Sequence, residues 1–127
     1  MKSGTVAPSV HEIVYVEQSE FRLYSEVIQV VQTRDRLWVR PLCLCEYESV
    51  PILESLTPQQ VYDLRGGSDL VWPGAVFQNA LDFEWIKILE HLPADAPSLG
   101  MLFQDESPRA QAARQKLRQF LGRVQVH

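Results

Sequence analysis

The sequence predicts an α+β domain, a small, strongly bent antiparallel sheet or SH3-like barrel followed by two helices. Three observations predict it. Runs of β-branched and aromatic residues, each of strand length and bounded by turn residues, fill the first half of the chain. Helical spacing and helix-start signals appear only in the later part. The 127 residues, 46% apolar and 22% charged, suit one folded core rather than two marginal ones.

In chain order, residues 1–9 read as a flexible lead-in, with no apolar run behind Lys2 to make a secretory signal. Residues 10–106 read as the β-rich body. His11 to Glu17 is a strand, and Phe21 to Gln32 is the strongest strand of the chain. Simple alternation puts Leu23, Val27 and Val31 on one face of it and Tyr24, Ile28 and Val30 on the other, so it belongs in the middle of a sheet or in a small closed barrel. The polar turn Thr33-Arg34-Asp35-Arg36 leads into a return strand, Leu37 to Glu46, that Pro41 marks as an edge or a bulge. Val61 to Arg65 and Asp69 to Trp72 read as a second hairpin closed by Gly66-Gly67-Ser68. Asp82 is a suitable N-cap for a helix near residues 82–92, with Phe83, Ile86 and Leu89 on its apolar side and Trp85 at the margin. Ser98 to Gln104 is one further strand or a packing loop. Residues 107–127 form a basic amphipathic helix packed on the same domain. Ser107 is its N-cap, Pro108 its first residue, and Ala113, Leu117, Phe120, Leu121 and Val124 its stripe.

Charge is unevenly divided. The net charge is −4, yet no acidic residue follows Glu106, while Arg109, Arg114, Lys116, Arg118 and Arg123 give the tail +5 and leave the body at −9. The overall pI near 5.3 makes nucleic acid an unfavoured partner, since the body repels a polyanion. No run reaches the length of a membrane span. Cys43 and Cys45 alone make no disulfide framework, so a reducing, cytoplasmic setting is the simpler expectation. On one strand face both thiols could meet one metal, but a second ligand pair is missing, and two buried cysteines is the better reading. No metal or cofactor is expected.

Arg65-Gly66-Gly67-Ser68-Asp69 could form an anion-binding nest, but it lacks the P-loop and dinucleotide spacings. A tight turn, with Arg65 and Asp69 paired across it, is much the better reading. No nucleophile elbow is present, and the acidic pairs of the body have nothing in sequence to mark them as catalytic. No catalytic residue is therefore assigned. Trp38, Trp72 and Trp85 read first as core. Trp38 shares a hairpin face with Arg40, Leu42 and Leu44 by alternation, and exposed beside Arg34, Arg36 and Arg40 it would suit an interface hot spot or stack bases. Arg114 and Arg118 add a second candidate contact on the final helix, where a dimer element is also possible.

At LYSEVIQVVQTRDRLWVRPLCL (Leu23 to Leu44) and YDLRGGSDLVWP (Tyr62 to Pro73) the chain resembles an uncharacterised family of small cyanobacterial proteins, over about residues 11–92. The resemblance implies a cytosolic accessory or assembly factor and supplies no catalytic residue. The expectation is thus a non-catalytic protein-interaction module. The alternatives are a nucleic-acid-associated regulator using the hairpin and tail arginines, and a small-molecule or hydrolytic site near the glycine turn.

Overall fold

The computed structural model describes residues 8–52, 57–94 and 107–124. Strand β1 (Ile13–Gln18) turns at Ser19-Glu20 into β2 (Phe21–Val31), and a 3-10 turn at Gln32–Arg34 leads into β3 (Arg36–Glu46). Ser19 and Asp35 carry the positive φ values, 54° and 52°, that these tight connections need. Then come β4 (Gln60–Asp63), β5 (Leu70–Pro73), a 3-10 turn at Gly74–Val76, β6 (Gln78–Asn79), helix α1 (Asp82–Leu89) and helix α2 (Pro108–Arg123). The strands form one antiparallel six-stranded sheet in the order β4-β3-β2-β1-β6, with β5 also on β3. The α+β class with two following helices is as predicted. The sheet is bent and unclosed, so it is not the SH3-like barrel.

Two register shifts bend it. Between β2 and β3 the pairing passes from Tyr24↔Cys43 to Ser25↔Pro41, leaving Leu42 as an extra residue, and from Val27↔Val39 to Gln29↔Trp38, leaving Ile28 extra. Each bulge inverts the alternation beyond it. Val30 therefore packs with Leu23 and Val27 on one face, not opposite them as strict alternation requires. Trp38 and Arg40 likewise lie on the opposite face from Leu44, a correction to the shared face expected from the sequence.

The second hairpin is also corrected. β4 and β5 do not pair with each other; both pair with β3, β4 opposite Cys43 to Glu46 and β5 opposite Arg36 to Val39. Pro41 brings no N–H to a ladder, and the Leu42 bulge lies beside it, so the edge of β3 is divided there. The chain leaves the edge after Leu64, whose N–H donates to the Leu42 carbonyl at 3.0 Å. It turns where the Gly67 N–H donates to the Leu64 carbonyl at 3.1 Å and Gly66 takes φ 90°, a conformation open to glycine.

Both sheet faces are covered in part. One buries Val14, Val16, Leu23, Val27, Val39 and Leu44 against Ala110, Ala113 and Phe120 of α2. The other buries Tyr15, Tyr24, Cys43 and Cys45 against Tyr47, Ile52 and Ile88 of α1. No helix among the described residues is long and apolar enough to cross a membrane. Most of the lead-in at 1–9 and all of 98–104 lie outside the described residues.

At the start of α2 the Ser107 Oγ accepts the Ala110 N–H at 3.2 Å, and Pro108 occupies the first turn. Ser107→Ala is expected to lower unfolding free energy by about 1 kcal/mol. A shift of the urea midpoint without a change in slope would show it.

Candidate functional site

Helix α1 is attached to the sheet by an acidic residue. The Glu84 Oε1 accepts the N–H of Leu81, which caps the helix, so Asp82 is the first helical residue and not the cap expected from the sequence. The other oxygen, Oε2, accepts from the Tyr24 hydroxyl at 2.6 Å and from the Arg22 guanidinium at 2.9 Å. Arg22, on β2, also donates to Glu17 at 2.8 Å and lies over the Tyr15 ring at 4.2 Å. Arg22 and Glu84 are both buried. Farther along, Arg65 is clasped by Asp63 through two contacts of 2.9 Å and donates to the Pro93 carbonyl at 2.8 Å. The chain is thus tied down on both sides of α1, and Arg65 does not pair with Asp69 as the turn reading expected.

With Glu84 and Ile88 turned inward and Trp85 stacked near Tyr24 (ring centroids 5.8 Å), the other side of α1 faces out. Phe83, Ile86 and Leu89 are 48, 59 and 45% exposed, so the apolar side read from the sequence is the solvent side. Leu81 extends the strip, exposed Asp82 and Glu90 border it, and the Lys87 ammonium stands 5.7 Å from the Phe83 ring. Exposed apolar groups gathered on one short helix mark a contact surface more than singly scattered ones do.

The same sheet face continues past α1 to the far end of β3. There Trp38, 36% exposed, stands beside its strand partner Val71, also exposed. The Asp69 carboxylate accepts the Trp38 indole N–H at 2.8 Å and two Arg40 donors at 2.9 and 3.2 Å. The Arg40 guanidinium, aided by the Trp38 N–H, holds the Asp69 carboxyl below the usual carboxylate range. Trp38, Arg40 and Asp69 are therefore brought together, with the arginine's charge matched. Arg34 is exposed in the 3-10 turn, and Arg36 is half-buried opposite Pro73. Trp72 pairs with Leu37 on the α2 face, half-buried with its ring 6.2 Å from Phe77, so it does not join Trp38. Arg114 and Arg118 stand on α2, on that other face, over the connection between β4 and β5.

Cys43 and Cys45 are buried with sulfurs 3.9 Å apart, and desolvation pushes the Cys43 thiol well above its usual range. No group of metal-ligating side chains occurs among the described residues. Arg22 and Glu84 escaped the sequence reading, which placed Tyr24 on a strand face without its polar partners. Glu84, an acid three residues past the cap of a helix, was the available signal, but it points equally to an exposed capping group.

Replacing Glu84 by Gln leaves Arg22 buried against a neutral amide and is expected to cost about 3 kcal/mol, read by denaturant unfolding. Alkali acts on the same layer. Burial raises the proton affinity of Cys43, Tyr24 and Tyr47, so the folded state holds these protons more tightly than the unfolded state. Stability is therefore expected to be full at neutral pH and to fall as pH rises above about 8.5. Melting curves across that range check it, as does a thiol reagent that reacts only as the protein unfolds.

No protein-family model, curated protein or solved structure matches the chain.

Proposed function

We propose that this protein is a non-catalytic interaction or assembly module that seats an apolar, basic-rimmed surface of a partner protein on the outward side of α1. One observation carries the reading: a buried ion pair holds a helix with Phe83, Ile86 and Leu89 facing solvent. A strip fixed in place before binding loses little entropy when a partner arrives. Trp38 and Val71, on the same face of the sheet, supply a second contact of the kind that anchors interfaces.

Charge supports a different protein over a second copy. Two α1 helices packed antiparallel through Ile86 would set Asp82 of one against Glu90 of the other, a like-charge contact. A basic rim meets both acids favourably. A polyanion is less well suited, because Asp69 already neutralises Arg40 and the α2 arginines lie on the other side of the sheet. This role fits the cytosolic accessory or assembly factor that the cyanobacterial resemblance implies.

The test is capture of partners from native extract with tagged wild type, Ile86→Glu and Trp38→Ala, followed by binding of the purified partner. A protein that survives nuclease and binds Ile86→Glu about 30-fold more weakly, with Trp38→Ala weaker than wild type, is the expected result. Unchanged melting temperature for Ile86→Glu keeps the loss assigned to contact. Equal binding by both variants, or partners that disappear with nuclease, would overturn the reading. Sedimentation showing a dimer that Ile86→Glu dissolves would replace the partner by a second copy.

A further inference from the structure

Helix α1 turns its more apolar side to water. Phe83, Ile86 and Leu89 are exposed, while Glu84 and Ile88 are its buried residues. A helix on a sheet ordinarily places its apolar stripe inward. The layer under α1 would accept such a stripe, since Tyr15, Tyr24, Cys43, Cys45, Tyr47 and Ile52 form it. Helix geometry makes the two arrangements exclusive. At 3.6 residues per turn, Ile86 stands roughly 160° around the axis from Glu84, so one faces the sheet only when the other faces solvent.

The contacts of Glu84 divide into those that turn with the helix and those that do not. Its Oε1 accepts the Leu81 N–H, a bond within the first turn that any rotation carries along. Its Oε2 is the oxygen that reaches the sheet, at Tyr24 and Arg22. Arg22 is held from the sheet side, by Glu17 and over the Tyr15 ring. Exchanging both partners of a buried ion pair for apolar side chains of similar volume is often neutral or stabilising, whereas removing one partner is costly. A helix with an apolar side available for burial therefore gains little net stability from the pair. What it gains is direction.

We infer that α1 has a second seating on the same layer, with Phe83, Ile86 and Leu89 inward and Glu84 in solvent, and that Arg22 and Glu84 are positioning residues that exclude it. In the second seating the contact strip is hidden, so the pair sets whether the partner surface exists. In that consequence the inference rests on the proposed function; the seating itself does not.

Thiol accessibility tests the inference. Ile86→Cys is placed in the otherwise wild-type chain and in a triple variant, Arg22→Met with Tyr24→Phe and Glu84→Leu, which removes both charges and the hydroxyl between them. Cys43 and Cys45, both buried, are the internal reference for protected thiols. In the wild-type background the introduced thiol should react as an exposed one. In the triple variant it should react at least about tenfold more slowly, the factor given by a preference smaller than one fully buried side chain supplies. The melting temperature of the triple variant should stay within about 5 °C of the wild type. Arg22→Lys, which keeps a cation opposite Glu84, should leave the introduced thiol as reactive as in the wild type. A folded triple variant with an equally reactive thiol would overturn the inference. So would a larger loss of melting temperature, which would make the pair a support of the fold. Neither readout uses a partner. A triple variant that hides the thiol yet captures the same partner as the wild type would keep the second seating and remove the strip from the proposed function.

Discussion

The arrangement of this protein depends on the buried contact between Arg22 and Glu84. Each charge alone would be costly inside the protein, and together they are tolerable because every strong donor and acceptor is met. Glu84 takes the Leu81 N–H on one oxygen and Tyr24 and Arg22 on the other, while Arg22 also reaches Glu17 and lies on Tyr15. A hydrophobic anchor would let the helix roll to bury its most apolar side. A directional polar anchor does not. Glu84 therefore decides that Ile88 and Trp85 face the sheet and that Phe83, Ile86 and Leu89 face out.

The second constraint is the pair of bulges in the long β2–β3 hairpin. By adding Ile28 to one strand and Leu42 to the other, they keep Leu23, Val27 and Val30 of β2 and Leu37, Val39 and Leu44 of β3 on the α2 side, with Ser25 the buried polar residue among them. The opposite side changes character partway along. Near Cys43 and Cys45 it is a closed core under α1, and near Trp38 and Arg40 it is open and balanced by Asp69. The same irregular stretch of β3 divides the sheet edge, so that β4 and β5 pair on either side of Pro41.

The two faces of the sheet also divide the charge asymmetry of the chain. Asp82 and Glu90 of α1 lie on one face of the sheet, and the basic helix α2 lies on the other.

Much of the fold was legible from local pattern. The β-branched runs announced β1, β2 and β3, the Ser-Pro pair announced the start of α2, and the order of strands before helices gave the α+β class, because these signals act within a few neighbouring residues. Of the candidate site, Trp38, Arg40 and Asp69 were each named from the sequence, yet their meeting across 31 and 29 positions depends on β5 pairing with β3. What the sequence by itself determined was the three long strands, the two short strands flanking Gly66-Gly67 and the two helices, with the apolar stripe on each helix; the two-residue β6 was not among them. Only the tertiary structure decided which way the stripe on α1 faces, which residues the bulges turn over, and that the two short strands flanking Gly66-Gly67 share β3 rather than each other. The physical reason is that a stripe, a bulge and a strand edge have no orientation of their own. They acquire one from partners far away in the chain, here Arg22 for α1 and the length of β3 for β4 and β5.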